Sequence, residues 1–79
     1  MSTSTIQNII RKLRFNADEM TQQQLADEVG VSRQTIVAIE KGNYSPSLEL
    51  AFRIAHVFHL TLGEVFTYDP KKGKPGKSK

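Results

Sequence analysis

The chain has 79 residues, a formal net charge of +3 and no cysteine. A chain of this length forms one small domain, near the lower limit for a self-sufficient apolar core. Without cysteine it can form neither a disulfide bond nor a thiolate metal site. No apolar run approaches the roughly 20 residues of a membrane-spanning helix, and the N-terminus lacks a signal-peptide pattern. We therefore expect a soluble, cytoplasmic protein.

The charge is unevenly distributed along the chain. Five of the eleven basic residues lie in the last nine positions, where there is no acidic residue. Residues 1–70 hold six basic and eight acidic residues, a net charge of −2. The overall charge is therefore no evidence for nucleic-acid binding, and such an argument must rest on where individual charges lie.

The N-terminal part of the chain predicts a short flexible segment followed by a helix. Residues 1–5 are small and polar, with nothing to order them. Ser4 or Thr5 is the predicted N-cap of the first helix. We expect Phe15 to close the core at its end. The apolar stripe of this helix has i, i+3, i+4, i+7 spacing and comprises Ile6, Ile9, Ile10 and Leu13.

Two short helical patterns lie end to end in residues 22–41. Thr21 followed three residues later by Gln24 has the spacing of a capping box, which predicts the start of the first pattern. Gly30 stands where a helix end favours a left-handed residue, and Ser32 is a second N-cap candidate. So short a connection makes the two helices cross sharply, as in a DNA-binding helix-turn-helix.

The second helix of this pair has an unusual outward face. At about 100° per residue, Ile36 and Ile39 point inward. Two hydrogen-bonding residues and small apolar ones point outward, and the major groove offers matching partners for arginine, glutamine and small apolar groups. A solvated surface helix is the less favoured alternative. The outward residues are Arg33, Gln34, Val37, Ala38 and Lys41.

The C-terminal half predicts two more helices. Gly42 ends the second motif helix, and Ser45 as N-cap with Pro46 at the first position opens a fourth, largely apolar helix. Thr61 and Glu64 form another capping box, which starts a fifth helix through about Phe66. No strand pattern is evident. We therefore predict an all-α fold, a compact bundle of five helices.

The C-terminal segment, residues 70–79, is rich in lysine and has no apolar residue, so we predict that it is disordered. It is either a solubilising extension or a flexible arm that adds non-specific phosphate contacts to DNA.

These motifs together resemble the Cro/CI (XRE) family of small helix-turn-helix transcriptional regulators, over about residues 6–68. The resemblance implies a lambda-repressor-like DNA-binding domain, here residues 6–69. It also implies a sequence-specific regulator of transcription, acting as a repressor at a two-fold operator, with no enzymatic activity, cofactor or small-molecule ligand. The matching segments are Thr21-Gln22, Leu25-Ala26, Val29-Gly30-Val31-Ser32, Arg33-Gln34-Thr35-Ile36, Ile39-Glu40-Lys41-Gly42 and Ser45-Pro46-Ser47-Leu48-Glu49-Leu50-Ala51.

The same resemblance implies roles for individual residues. A partly buried ion pair between Arg14 and Glu40 is expected to join helix 1 to the recognition helix, which Gln22 also supports. The connector before Thr21 is one residue longer than the family pattern. The residues implied to contact bases are Ser32, Arg33, Gln34, Val37 and Ala38. Those implied to contact phosphates are Gln22, Lys41, Asn43 and Tyr44.

Two alternatives stay open at this stage. The chain is expected to bind double-stranded DNA as a homodimer, but an antitoxin-like protein-interaction module would use the same fold. His56 and His59 have the spacing to share a metal, yet no further ligand joins them, so no metal site is expected. The candidate dimer interface, which equally fits core closure, comprises Leu60, Leu62, Val65, Phe66 and Tyr68.

Overall fold

A computed structural model of the chain describes residues 6–69. The predicted flexible N-terminus and lysine-rich tail lie outside these residues. The predicted five-helix bundle is confirmed, and two short strands, which the sequence did not predict, accompany it. In chain order the elements are β1 (Ile6–Asn8), α1 (Ile10–Asn16), α2 (Gln22–Val29), α3 (Arg33–Lys41), α4 (Leu48–Val57), α5 (Leu62–Val65) and β2 (Phe66–Tyr68).

The two strands pair antiparallel and join the two ends of the domain. Ile6 lies opposite Tyr68, and Asn8 lies opposite Phe66. Each strand has three residues, which is too short for the alternating pattern that identifies a strand in a sequence. Only the pairing of segments far apart in the chain reveals them.

The first helix begins later than predicted. The N-cap of α1 is Ile9, because the helix starts at Ile10 and β1 occupies Ile6–Asn8. The predicted caps, Ser4 and Thr5, lie outside the described residues. The side chain of Asn8 accepts a hydrogen bond from the backbone N–H of Ile10 at 3.1 Å and satisfies the first turn instead. The apolar stripe expected from Ile6 onward is therefore divided between a strand and a helix.

The prediction that Phe15 closes the core is wrong, because its side chain is 67% exposed. At about 100° per residue, Phe15 lies roughly 200° around α1 from Leu13, which packs against the core. The following connector turns through two successive non-glycine residues with positive φ, Asp18 at 60° and Glu19 at 56°. Met20 then packs against the core.

The predicted caps of the helix-turn-helix are confirmed. Thr21 and Gln24 form the reciprocal capping box of α2. Gly30 has a φ of 78°, and its N–H donates to the carbonyl of Ala26 at 2.8 Å. The side-chain oxygen of Ser32 accepts the N–H of Thr35 and caps α3. Only three residues separate the end of α2 from the start of α3. This tight connection sets the crossing of α2 and α3.

The start of α4 corrects another expectation. Ser47 is the N-cap rather than Ser45, since its side chain accepts the N–H of Leu50 at 3.1 Å. Pro46 consequently precedes the helix instead of occupying its first position. The helix is also less enclosed than its apolar sequence suggested, because Leu48 is 66% exposed and Phe52 is 52% exposed.

The short helix α5 closes the bundle. The carboxylate of Glu64 accepts the backbone N–H of Thr61 at 2.7 Å, and this hydrogen bond lowers the pKa of Glu64 below its ordinary value. Val65 is 1% exposed, so its place in the candidate dimer interface is wrong and it belongs to the core. The core residues are Ile10, Leu25, Ala26, Val29, Ile36, Ile39, Leu50, Ile54, Ala55 and Val65.

Within residues 6–69, no helix has the length and apolar character needed to cross a membrane.

The left-handed conformation of Gly30 predicts a measurable cost for a side chain there. We expect Gly30→Ala to destabilise the domain by roughly 1–2 kcal/mol, because an L-residue at positive φ is strained. A Cβ at this position would lie 3.7 Å from its nearest neighbour, an Arg53 nitrogen, so the cost arises in the backbone. The measurement is the free energy of unfolding in urea.

The matched control is Gly63→Ala in α5, where no atom lies within 4 Å of an added Cβ. Alanine favours a helix over glycine by up to about 1 kcal/mol, so this variant should be as stable as wild type or more stable. Equal unfolding free energies for the two variants would contradict the argument.

Candidate nucleic-acid interface

The outer face of α3 and the turn before it expose the predicted base-contacting residues. Ser32, Arg33 and Gln34 are exposed at its N-terminal end, while Val37 and Ala38 are half-buried further along. The opposite face is buried through Ile36 at 0% and Ile39 at 1% exposure. One side of α3 is therefore packed into the core, and the other side presents hydrogen-bonding and small apolar side chains.

Ser32 caps α3 and is also a predicted base-contacting residue, so one hydroxyl group must serve both roles. Its hydroxyl oxygen accepts the Thr35 N–H at 3.2 Å and lies 3.0 Å from the Thr35 hydroxyl oxygen. A hydroxyl group has one donor and two acceptor positions. Ser32 can therefore keep capping α3 while its hydroxyl hydrogen turns toward a ligand, at the cost of the contact with Thr35.

The predicted phosphate-contacting residues lie at the two ends of the motif. Gln22 is the first residue of α2, and Lys41 is the last residue of α3. Gly42 ends α3 with a φ of 80°, and the backbone N–H of Asn43 donates back to the carbonyl of Ala38 at 3.0 Å. This stop places Asn43 and Tyr44 on an exposed segment directly after α3.

Arg14 and Glu40 lie in contact and join α1 to α3. Arg14 Nε lies 2.6 Å from Glu40 Oε2, and Arg14 Nη2 lies 3.0 Å from Glu40 Oε1. The two side chains are only 14% and 8% exposed. Arg14 Nη1 also donates to the carbonyl of Met20 at 2.8 Å. This bidentate geometry is the strong form of an ion pair, and it fixes the end of the recognition helix relative to α1.

Gln22 extends this network towards solvent. Its Nε2 donates to Glu40 Oε1 at 3.2 Å. An amide nitrogen carries two hydrogens, so the second hydrogen of Gln22 remains available to a phosphate oxygen. Within residues 6–69, Gln22 therefore hydrogen-bonds Glu40 through one amide hydrogen and retains the second as a donor for a phosphate oxygen.

A cleft of about 600 Å³ brings part of the predicted site together. Gln22, Arg33, Val37 and Lys41 line it, between α1, the start of α2 and the outer face of α3. The other predicted contact residues are not among its lining residues. They are Ser32, Gln34, Ala38, Asn43 and Tyr44.

Asn8 is a positioning residue that the sequence did not reveal. Its Nδ2 donates to the carbonyl of Ile39 at 3.0 Å, while its Oδ1 accepts the N–H of Ile10. One side chain on β1 thus satisfies the start of α1 and a carbonyl in the last turn of α3. An asparagine two residues before a helix is a cap-type residue, but its link to α3 is visible only in the fold.

The two histidines lie close together, His56 in the last turn of α4 and His59 two residues after its end. The ring centroids of His56 and His59 are 6.4 Å apart. Among residues 6–69, no group of three or more histidine and carboxylate side chains is placed to hold a metal ion.

The burial of the Arg14–Glu40 pair predicts a large loss of stability when one partner is removed. We expect Glu40→Ala to destabilise the domain by roughly 3–5 kcal/mol, because the arginine charge is left buried without its partner. The double variant Arg14→Met/Glu40→Leu should recover much of this loss, since neither charge remains. Urea unfolding of both variants measures the difference.

Glu49→Ala is the matched control, because Glu49 pairs with Arg53 at 2.7 Å on the surface, with side chains 75% and 53% exposed. An exposed pair four residues apart on a helix contributes about 0.3–0.5 kcal/mol. Similar losses for Glu40→Ala and Glu49→Ala would show that the Arg14–Glu40 pair is only a surface contact.

Comparison with known proteins agrees with this geometry. A family model described as helix-turn-helix matches residues 10–65. The chain is 56% identical over 50 residues to an uncharacterised helix-turn-helix-type transcriptional regulator from Methanocaldococcus jannaschii, covering 63% of this chain and 76% of the relative. It is 36% identical over 56 residues to the cryptic phage CTXphi transcriptional repressor RstR of Vibrio cholerae, covering 71% of this chain and 50% of that protein.

A solved structure has the same fold. The clp gene regulator ClgR from Corynebacterium glutamicum superposes with a TM-score of 0.62 at 24% identity, covering 70% of this chain and 57% of that chain. The family model, the relatives and the exposed α3 face together establish the class of protein, a class that is typically non-enzymatic. The chain belongs to the Cro/CI (XRE) family of helix-turn-helix, DNA-binding transcriptional regulators.

Proposed function

We propose that this regulator is a repressor that binds a two-fold symmetric operator as a homodimer, with α3 in the major groove. The observation that carries the proposal is the exposed, slim outer face of α3, held from behind by buried residues and by the Arg14–Glu40 pair. The relative from Vibrio cholerae, which is named a transcriptional repressor, supports the direction of regulation.

The base contacts follow from the chemistry of α3. Arginine forms paired hydrogen bonds with guanine, and glutamine does so with adenine, so Arg33 and Gln34 would read two neighbouring bases. Val37 and Ala38 would lie against a thymine methyl group. Ser32 would use its rotatable hydroxyl group. Because only two long polar side chains, those of Arg33 and Gln34, are proposed to contact bases, each half-site should have a short recognised core.

The phosphate contacts would set the orientation of α3 in the groove. Among the described residues, Gln22 at the start of α2 donates one of its two amide hydrogens to Glu40, and Lys41 at the end of α3 forms no ion pair, so both have a donor for phosphate. Asn43 and Tyr44 lie on the exposed segment that follows. Such contacts position a protein on the duplex without reading its sequence.

A homodimer is proposed because one recognition helix reads only half of a two-fold site. Val65 is part of the core and is removed from the candidate interface. Leu60, Leu62 and Phe66 are half-buried, and two of them, Leu60 and Phe66, also pack against the core. The most accessible residue of the candidate interface is therefore Tyr68, which is 64% exposed. Operation without a small-molecule effector and a cytoplasmic location stay predictions.

A protein-interaction module is the second candidate. It is favoured by a groove beside α4 that Phe52, His56 and Leu62 help to line, since exposed apolar surface often marks a binding site. An antitoxin-like protein would bind its partner there and bind DNA only secondarily.

Selection from a random duplex pool at near-physiological salt tests the repressor proposal. We expect the wild type to enrich an inverted repeat whose half-sites lie about one helical turn apart. Arg33→Ala/Gln34→Ala should lose this enrichment, because the hydrogen bonds to base edges are gone. Absence of any enriched sequence with the wild type would favour the interaction-module candidate.

Gln7→Ala/Lys12→Ala is the matched control, since it also removes one glutamine and one cation from exposed positions. Neither residue lies on α3, so this variant should enrich the same sequence as wild type. If the control loses the sequence as well, α3 is not the element that reads it.

Sedimentation of the free protein at tens of micromolar tests the dimer, with Tyr68→Ser as the variant. We expect the wild type to sediment as a dimer and the variant to shift toward the monomer, because an exposed aromatic ring would be lost from the interface. Leu48→Ser, on the 66% exposed Leu48 of α4, is the control and should leave the dimer unchanged. A wild-type monomer would restrict dimerisation to the DNA-bound state.

A further inference from the structure

Arg11 is an unpaired cation whose role the sequence did not predict. It lies on the exposed side of α1, and within residues 6–69 its side chain takes part in neither of the two ion pairs and in none of the side-chain hydrogen bonds. A buried arginine without partners would be costly, but an exposed one is available to a ligand. Arginine also binds phosphate through two parallel hydrogen bonds.

The cleft beside α3 is positive although the domain around it is not. Residues 6–69 contain six basic and eight acidic residues. Two of the acidic residues, Glu19 and Glu40, line the cleft, and Glu40 is already paired with Arg14. Four of the six basic residues line it, namely Arg11, Arg14, Arg33 and Lys41. The cleft therefore attracts an anion that the rest of the surface repels.

We propose that Arg11 contacts a DNA phosphate, so that α1 adds a backbone contact to those proposed for α2, for the end of α3 and for the segment after it. This proposal rests on the placement of α3 in the major groove. A helix there is flanked by the phosphate backbones on both sides, and Arg11 lines the same cleft as Arg33 and Lys41. The contact is to the backbone, so it strengthens binding to all sequences alike.

Lys12 is the natural comparison for Arg11. The two residues are adjacent on α1, both are exposed, and within residues 6–69 neither belongs to an ion pair. Lys12 does not line the positive cleft but a neighbouring hollow with Ile9 and Phe15. Removing either residue deletes one positive charge from the same turn of α1. A difference in salt dependence between the two variants therefore indicates direct contact with DNA rather than long-range attraction.

The experiment compares Arg11→Ala, Lys12→Ala and Arg11→Lys by fluorescence anisotropy between about 50 and 200 mM salt. Two duplexes are used, the sequence that the wild type enriches and one of mixed sequence. We expect the slope of log K against log salt to become shallower by about 0.9 for each bound protomer in Arg11→Ala. Lys12→Ala should keep the wild-type slope, and Arg11→Lys should restore most of it.

A slope in Arg11→Ala equal to that in Lys12→Ala would overturn the proposal and leave the regulator function intact. Wild-type protein that enriches no sequence would contradict the regulator proposal, while the slope on the mixed-sequence duplex would still decide the role of Arg11. Failure of wild type to bind either duplex would overturn both. Unchanged urea midpoints for the exposed-site variants show that all of them are folded.

Discussion

The arrangement of this domain depends on one partly buried ion pair. Arg14 and Glu40 meet in a bidentate contact at low exposure, and each partner has a further hydrogen bond, Arg14 to the carbonyl of Met20 and Glu40 from Gln22. Because a buried charge is costly when its partners are missing, these groups have one favourable arrangement. That arrangement holds the end of α1, the connector after it, the start of α2 and the end of α3 together.

Three sets of contacts hold the recognition helix, α3, in place. Ile36 and Ile39 bury its inner face, Glu40 joins it to α1, and Asn8 binds the carbonyl of Ile39. A helix of nine residues has little stability of its own in water, so its order comes from these tertiary contacts. Because the inner side supplies these contacts, the outer face of α3 is available for the DNA contacts that we propose. The ion-pair network also includes Gln22, which we propose as a phosphate contact, so stability and the proposed binding depend on the same group of residues.

The charged residues of the domain are also distributed unevenly around α3. Six of the eight acidic residues of the domain lie outside the cleft beside α3, whereas four of the six basic ones line it. A domain of negative net charge can bind a polyanion because attraction depends on the local field and not on the total. The groove beside α4, which Phe52 and the two histidines help to line, instead has the apolar surface expected of contacts with protein.

The sequence by itself determined the features that arise within a few residues. Thr21, Gly30, Ser32 and Gly42 mark helix ends through local hydrogen bonds and backbone conformation, so the helix-turn-helix and the outward set on α3 were predictable, and family resemblance supplied the Arg14–Glu40 pair. Only the tertiary structure decided which apolar residues are buried and how the chain ends meet. The β1–β2 pairing, the dual role of Asn8, the exposure of Phe15 and the burial of Val65 all depend on contacts between distant segments. The local sequence pattern cannot predict these four features. A three-residue strand has no distinctive periodicity, and the burial of a side chain depends on its neighbours in space.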